Sequence, residues 1–146
     1  MARVIIGSDH AGYQLKDAIK SHFTDLSYRI EDMGCHDSES VDYPDLAGQV
    51  ARTVMEDSRN RGILICGTGI GMSIAANKVR GIRAALCHTE YEAQMSRNHN
   101  DANIICLGAR TLKEGLAIRL VTKFLRSEFE GERHERRVKK IMALEG

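Results

Sequence analysis

The stretch ILICGTGIG, residues 63–71, joins a short apolar run to a loop that contains three glycines. A continuous apolar run of this kind is typical of a strand that is buried on both faces of a parallel sheet. The apolar helical stretch Met72–Val79 follows the loop directly. The segment therefore predicts a strand, a tight turn and a helix, which is the repeating unit of an α/β protein.

Strands and helices alternate on either side of this unit. Further strands are predicted at residues 3–7, 27–33, 82–87 and 104–107. Helices, recognised by apolar residues three and four positions apart, are predicted at 12–24, from about Pro44, at 89–97, after Gly108 and at 131–144. The pattern predicts one α/β domain over residues 1–146, a Rossmann- or flavodoxin-like three-layer sandwich with a five-stranded parallel sheet in the order 2-1-3-4-5. Met55 and Ile141 are predicted to face the core from two of these helices.

The composition fits an ordinary single domain and argues against several classes of protein. The chain has 146 residues, of which 42% are apolar and 28% charged, as in a typical soluble domain. A formal net charge of +1 provides no field that would attract nucleic acid or a membrane surface. No apolar stretch approaches the ~20 residues of a membrane span, and no signal peptide is apparent at the N-terminus.

The cysteines and histidines lack the spacing of a metal site. Cysteines lie at positions 35, 66, 87 and 106, with no C-x-x-C pair, which argues against a zinc site or a disulfide framework. The histidines likewise include no H-x-x-x-H pair, so a metal site built on them is not expected. We therefore predict reduced thiols, no bound metal and a cytoplasmic location.

Reactive residues follow the first and third strands, where the predicted topology places a ligand. Ser8-Asp9-His10-Ala11-Gly12 comes after the first strand, and Cys66-Gly67-Thr68-Gly69-Ile70-Gly71 comes after the third. In open α/β sheets, ligands bind at the carboxyl ends of strands, beside the point where the strand order reverses. We therefore expect these two stretches to lie at one site.

Cys66 and the glycine loop form the first candidate for chemistry. Glycines let the backbone approach a ligand and turn its N–H groups toward an anion at a helix start, which predicts a phosphate there. A thiol at a helix N-terminus titrates below its usual ~8.5, so Cys66 is a candidate base whose enediolate product the loop would stabilise. The alternatives are a simple tight turn and a small buried hydrophobe, as we expect for Cys87 and Cys106.

Other polar groups are open to more than one interpretation. Asp9 and His10 could move protons, bind a metal or cap the helix that follows. His99-Asn100-Asp101 has the composition of a loop of turn formers. Arg133 and Arg137 lie four residues apart on one helix face, where they could grip a phosphate together or form a solvated flank beside neighbouring glutamates.

Taken together, these stretches resemble the ribose-5-phosphate isomerase B family, which also includes galactose-6-phosphate isomerase subunits. The resemblance is carried in order along nearly the whole chain by GSDHAGYQLK at 7–16, DYPD at 42–45, ILICGTGIGMSIAANK at 63–78, SRNHNDAN at 96–103, GAR at 108–110 and GERHERRV at 131–138. Several independent blocks at matching intervals are far more specific than any one of these motifs.

The resemblance implies a cofactor-free and metal-free aldose–ketose isomerase. It would interconvert D-ribose 5-phosphate and D-ribulose 5-phosphate through ring opening and a cis-enediolate, in the non-oxidative pentose phosphate pathway. Cys66 would be the base, with Thr68 assisting beside it. His99 would open the furanose ring, and Asp9 would handle hydroxyl protons.

The resemblance also implies how the substrate is held. The phosphate is assigned to His10 and three arginines, not to the glycine loop, whose backbone becomes the anion site for the enediolate. Tyr43 and Asn100 would contact the sugar. The implied substrate-binding set is Asp9, His10, Tyr43, Gly67, Thr68, Gly69, Ile70, Gly71, Asn100, Arg110, Arg133 and Arg137.

Members of the family are homodimers or dimers of dimers whose sites combine residues of two subunits. The resemblance therefore implies that the polar segment 89–101 and the last helix, 131–144, lie at a subunit interface. The implied partners are a phosphosugar and a second copy of the chain, without nucleic acid or membrane.

Three competing functions remain at this point. The same chemistry could act on a related phosphosugar, such as allose 6-phosphate or galactose 6-phosphate. A flavodoxin-like nucleotide- or phosphate-binding module would need no turnover, but a pure binder also needs no base beside its anion site. A nucleic-acid-binding protein that uses the cations at 131–140 would bind in a salt-sensitive manner, although the patch is short and has no interleaved aromatic residues.

Overall fold

Five parallel strands alternate with helices, as the sequence predicts. The computed structural model describes residues 2–23, 28–36 and 39–146; Thr24 and Ser27, at the ends of two predicted elements, lie outside these ranges. The strands are β1 Arg3–Ser8, β2 Arg29–Asp32, β3 Arg61–Cys66, β4 Ala84–Leu86 and β5 Ile104–Gly108. The helices are α1 Tyr13–His22, α2 Tyr43–Val54, α3 Ile70–Ala76, α4 Glu90–Asn98, α5 Glu114–Arg126 and α6 Arg133–Ala143.

The strand order differs from the predicted one in its last two positions. The sheet runs β2-β1-β3-β5-β4, so the predicted order 2-1-3-4-5 is wrong, although the reversal between β1 and β3 is confirmed. The five residues of β5 are all buried, whereas the three residues of β4 are only half-buried. A short, half-exposed strand suits the sheet edge, and a fully apolar strand suits the interior.

Alternate residues of each strand pack into two separate hydrophobic cores, one on each face of the sheet, because successive side chains point to opposite faces. On one face, Ile5, Leu64 and Ile104 pack against α2 and α3. On the other, Ile6, Ile63 and Ile105 pack against α1, α4 and α5. The three layers confirm the predicted α/β sandwich.

Two apolar residues that were predicted to face the core are exposed. Met55 lies one position beyond α2 and is 45% exposed, and Ile141 on α6 is also 45% exposed. Helix α6 buries only His134 and Val138, because it packs at the margin of the sheet instead of across a face. No helix within the described ranges combines the length and apolar character needed to cross a bilayer.

Candidate active site

Cys66 is the last residue of β3, and its thiol faces the glycine loop that follows. The sulfur accepts a hydrogen bond from the backbone N–H of Gly69 at 3.1 Å, and the residue is only 6% exposed. The loop therefore turns back on the thiol, so that the sulfur and the backbone N–H groups of the loop lie side by side.

At two positions in the loop, the surrounding atoms leave no room for a Cβ atom, so glycine is required there. Gly69 has φ of +82°, and a Cβ there would lie 2.6 Å from Leu86 and 2.9 Å from the backbone of Leu107. A Cβ on Gly71 would lie 2.5 Å from the ring of Tyr43. Since left-handed φ strongly favours glycine, Gly69 sets the turn, and Gly71 lets Tyr43 pack on the loop.

The loop between β1 and α1 is bonded to the same edge of the sheet. The N–H of Asp9 donates to the carbonyl of Ile65 at 3.0 Å, one residue before Cys66. The Asp9 carboxylate accepts a hydrogen bond from the N–H of Ala11 at 2.9 Å, which holds this buried side chain in the loop. The stretches after β1 and β3 therefore lie side by side at the carboxyl edge of the sheet, as predicted.

His10 and Ser8 carry polar atoms that are buried without a partner. His10 Nδ1 and Ser8 Oγ have no hydrogen-bond partner among the residues that the structure describes. Buried polar atoms are usually paired, so these two atoms mark a place where a water or ligand atom would be accommodated. Ser8 ends β1 and His10 lies in the loop that follows, so the two residues flank Asp9 in the sequence.

Arg110 completes this group from the end of β5. Its N–H donates to the carbonyl of Gly67 at 2.9 Å, and a Cβ on Gly67 would lie 3.1 Å from its guanidinium. The carboxyl edge of the sheet thus gathers most of the predicted site. It holds Asp9, His10, Tyr43, Cys66, Gly67, Thr68, Gly69, Ile70, Gly71 and Arg110.

His99 and Asn100 lie at the opposite, amino edge of the sheet. His99 is the C-cap residue of α4. This helix runs from the carboxyl end of β4 back to the amino edge of the sheet, where β5 begins. Nearby, the carbonyl of Asn103 accepts a hydrogen bond from the N–H of Gly62 at 2.8 Å. Gly62 is separated from Cys66 by the length of β3, about 13 Å at ~3.3 Å per residue. The single chain therefore does not bring His99 to Cys66.

Arg133 and Arg137 also lie toward the amino edge, exposed on α6. The segment before α6 is attached to α4 through the N–H of Glu130, which donates to the carbonyl of Asn98 at 3.0 Å. A cavity of about 810 Å³ opens between α6 and the start of β4, and Asn100 and Ile141 are among its lining residues. The predicted site is thus divided between two edges of one chain.

Glu130 and His134 surround His99, and the sequence interpretation missed both. His99 Nε2 lies 3.4 Å from Glu130 Oε1, and the rings of His99 and His134 stack with centroids 4.1 Å apart and planes at 11°. Burial, aided by the neighbouring His99 and Arg133, lowers the pKa of His134. The separation of 31 residues between His99 and Glu130 exceeds any local periodicity, so the sequence contains no signal that would connect His99 to the other two.

An ion pair beneath the β1–α1 loop ties α1 to β2. Lys16 is fully buried, and its Nζ lies 2.6 Å from Asp32 Oδ2, while Lys20 Nζ lies 2.7 Å from the same oxygen. Burial acts to raise the pKa of Asp32, but hydrogen bonds from the two lysines and a backbone N–H outweigh it and lower that pKa. The N–H of Ser8 donates to the carbonyl of Gly34 at 2.7 Å, so this network supports the loop of Asp9 and His10.

Cys87 and Cys106 differ from Cys66 in their surroundings. Both are buried, as the sequence predicts for small hydrophobes. Burial raises the pKa of the Cys87 thiol to about 12 and raises that of Cys106 as well. Neither thiol is suited to act as a base near neutral pH.

Comparison with known proteins identifies close relatives. The chain matches the family described as Ribose/Galactose Isomerase over residues 4–141. It is 45% identical over 145 residues to ribose-5-phosphate isomerase B of Escherichia coli, an alignment that covers 99% of this chain and 97% of that protein.

Solved structures agree with this result. Ribose-5-phosphate isomerase B of Clostridium thermocellum shares 52% identity and a TM-score of 0.95, over 99% of this chain and 97% of that chain. Ribose-5-phosphate isomerase B of Mycoplasma genitalium, solved with bound ribulose-5-phosphate, shares 42% identity and a TM-score of 0.95, over 99% of this chain and 96% of that chain.

Proposed function

The chain belongs to the Ribose/Galactose Isomerase family, and on that premise we propose that it interconverts D-ribose 5-phosphate and D-ribulose 5-phosphate. The observation that carries the proposal is the Cys66 thiol, enclosed by the glycine loop with the Asp9 loop bonded to the same strand end. A purely binding module would need no such group. Relatives of similar length that are named for this activity support the substrate.

Cys66 is the base that moves a proton between the first and second carbons. In the aldose-to-ketose direction, the sulfur takes the proton from the second carbon, and the electron pair of the broken C–H bond forms the double bond of the enediolate. The sulfur then returns the proton to the first carbon. Asp9 carries hydroxyl protons between the two oxygens, and Thr68 hydrogen-bonds to the intermediate.

The glycine loop stabilises the enediolate oxygen. Two of its N–H groups are engaged within the loop, since Gly69 donates to the sulfur of Cys66 and Ile70 donates to the hydroxyl of Thr68 at 3.2 Å. We assign the oxyanion to the remaining donors, which are the N–H groups of Gly67, Thr68 and Gly71. In many enzymes, preorganised donors aimed at developing charge supply most of the rate enhancement.

The rest of the site comes from a second copy of the chain. His99, Asn100, Arg133 and Arg137 cannot reach Cys66 of their own chain across the sheet, whereas those of a partner subunit can approach its open edge. His99 of the partner subunit would open the furanose ring, and the partner's Arg133 and Arg137 would hold the phosphate with His10 and Arg110. Tyr43 and the partner subunit's Asn100 would contact the sugar.

Exposed apolar residues support a homodimer of this kind. Ile70 and Ile74 on α3 are 51% and 59% exposed beside the glycine loop, and Leu144 near the end of α6 is 87% exposed. Apolar side chains in such positions are typical of a protein–protein interface. A dimer is the smallest assembly that completes the site, and it would place α6 at the subunit boundary.

The reaction requires no cofactor, because a proton transfer between neighbouring carbons leaves the substrate's overall oxidation state unchanged. Its substrate and product belong to the non-oxidative pentose phosphate pathway, where we place the enzyme. A thiol base needs reducing conditions, which supports a cytoplasmic location.

Conversion of ribose 5-phosphate in the presence of a chelator tests this function. We expect activity in the wild type and in Cys87→Ala, whose thiol is buried away from the loop, and a loss of at least ~10²-fold in Cys66→Ala, as for removal of a general base. Full activity in Cys66→Ala would contradict the role of the base. Loss of wild-type activity with chelator would indicate a metal mechanism. Faster turnover of allose 6-phosphate or galactose 6-phosphate than of ribose 5-phosphate would show that the related phosphosugar is the preferred substrate.

A further inference from the structure

Three side chains with metal-binding atoms converge at the amino edge of the sheet. His99 caps α4, Glu130 lies between α5 and α6, and His134 lies in the first turn of α6. One ligand atom of each lies within 4.8 Å of the corresponding atoms of the other two. Among the described residues, this is the group in which three potential ligands meet.

The arrangement fits a divalent transition-metal ion. Two imidazole nitrogens and one carboxylate oxygen form a ligand set that Zn²⁺ uses where a fourth position stays open. Tetrahedral ligands at ~2.0–2.2 Å from an ion lie about 3.4 Å from one another. The distance between His99 Nε2 and Glu130 Oε1 is 3.4 Å, which matches this spacing.

The backbone holds the three ligands in place. The N–H of Glu130 donates to the carbonyl of Asn98 at 3.0 Å, and the N–H of His134 donates to the carbonyl of Gly131 at 3.0 Å. The amide of Asn98 also donates to the carbonyl of Glu128 at 2.6 Å. His134 is itself buried. A cluster whose positions are set beforehand loses less entropy on binding than an exposed pair of mobile side chains.

We propose that His99, Glu130 and His134 bind a divalent transition-metal ion such as Zn²⁺, and that the ion inhibits the isomerase. The inhibitory part rests on the proposed function, because His99 is the residue assigned to ring opening. An ion bound at Nε2 occupies the lone pair that proton transfer requires. Inhibition is therefore stronger for ribose 5-phosphate, whose furanose ring must open, than for ribulose 5-phosphate, which has no such ring.

Binding is tested with Co²⁺ as a spectroscopic probe of the purified protein without substrate. We expect visible absorption bands that saturate at one Co²⁺ per chain and disappear when Zn²⁺ is added. Loss of an outer-shell partner already costs roughly 10–100-fold in metal affinity, so Glu130→Gln and His134→Gln should each weaken binding by at least as much. Glu130→Gln changes an exposed side chain and should not disturb folding.

His88→Gln is the matched control. His88 Nδ1 lies 3.7 Å from Glu92 Oε1, so it forms a histidine–glutamate pair of the same type, but no third ligand joins it within the described ranges. Its removal should leave both Co²⁺ binding and basal activity unchanged. Unchanged Co²⁺ affinity in both Glu130→Gln and His134→Gln would overturn the site. A thiolate charge-transfer band that is lost in Cys66→Ala would place the ion on the catalytic thiol and overturn it as well.

Inhibition is measured in a separate assay, which follows the conversion of ribose 5-phosphate to ribulose 5-phosphate by the ultraviolet absorption of the ketose carbonyl. We expect Zn²⁺ to slow the wild type and His88→Gln, excess chelator to restore the rate, and Glu130→Gln to need at least ~10-fold more Zn²⁺, in line with its weaker binding. Equal inhibition of wild type and Glu130→Gln would overturn the inhibitory role. If Co²⁺ binds as expected but no protein turns over ribose 5-phosphate, the proposed function fails while the metal site is supported.

Discussion

Cys66 and His99 lie at opposite edges of the same sheet, the first at the end of β3 and the second at the end of α4. The proposed function assigns both residues to one substrate molecule, and on that proposal the two residues would come from different copies of the chain. A two-fold dimer would pair each Cys66 with the partner's His99 and form two identical sites.

Mixing two inactive variants tests this pairing. When Cys66→Ala and His99→Ala chains are co-expressed, half of the dimers are mixed, and each mixed dimer holds one intact site, so about a quarter of wild-type activity should return. The rate of ribose 5-phosphate conversion measures it. Cys66→Ala with Asp9→Asn is the control, because these residues share one edge and no intact site can form. Equal rates in the two mixtures would place Cys66 and His99 in one chain.

Gly69→Ala should destabilise the protein and disrupt the glycine loop. Its φ of +82° and the 2.9 Å approach to the backbone of Leu107 leave a methyl group no unstrained position, and such strain costs about 1–3 kcal/mol. Urea unfolding measures the loss. In Gly115→Ala, at an exposed position in the first turn of α5, the nearest atom to the new methyl is a guanidinium nitrogen of Arg119 at 3.6 Å, so we expect that variant to be as stable as the wild type or about 0.5–1 kcal/mol more stable. Equal destabilisation of the two variants would contradict this account.

Lys16→Met and Lys20→Met should differ, although both lysines bind the same carboxylate oxygen. Lys16 is fully buried and Lys20 is 36% exposed. Removing one partner of a buried ion pair typically costs about 3–5 kcal/mol, whereas an exposed pair is worth about 0–1 kcal/mol. Unfolding free energies of the two variants provide the comparison, and a larger loss for Lys20→Met would show that Lys20 is the main partner of Asp32.

Asp32 should make stability depend on pH in the acid range. Its pKa is lower in the folded protein than in the unfolded chain, so its contribution is present above the unfolded value of ~3.9 and is lost as pH falls through the folded value. The stability difference between wild type and Asp32→Asn should therefore shrink between about pH 5 and pH 2. Urea unfolding across this range measures it. Asp17→Asn is the control, because this exposed carboxylate lies 3.4 Å from the same Lys16 Nζ and an exposed pair contributes only about 0–1 kcal/mol. A difference that stays constant with pH for Asp32→Asn would contradict the prediction.

The order of β4 and β5 shows where sequence reasoning ends. Both runs were recognised as strands from their apolar residues, but strand order depends on which run is buried on both faces. Ile104–Gly108 is wholly apolar apart from its glycine, and Ala84–Leu86 is short and contains two alanines. These differences indicate the strand order only when the two segments are compared with each other. Hydrophobic periodicity is evaluated within one segment at a time, so it does not reveal which strand lies at the edge of the sheet.

The cluster around His99 shows a second limit. Glu130 reaches His99 because the segment after α5 is bonded to the end of α4, and no spacing in the sequence predicts that contact. The resemblance assigned His99 a role, but His134 remained one residue of a basic motif. Burial of Cys87 and Cys106, by contrast, was predictable from the apolar strand segments to which they belong in the sequence.

Local sequence was sufficient to predict the strand–loop–helix units and the gathering of Asp9, Cys66 and the glycine loop at one edge. Hydrophobic period and parallel topology place strand ends together regardless of detailed packing. Tertiary packing decided the β5–β4 order, the division of the site between two edges and the His99–Glu130–His134 cluster. These features depend on contacts between segments far apart in the chain, which form only when whole helices and strands bury their surfaces against one another.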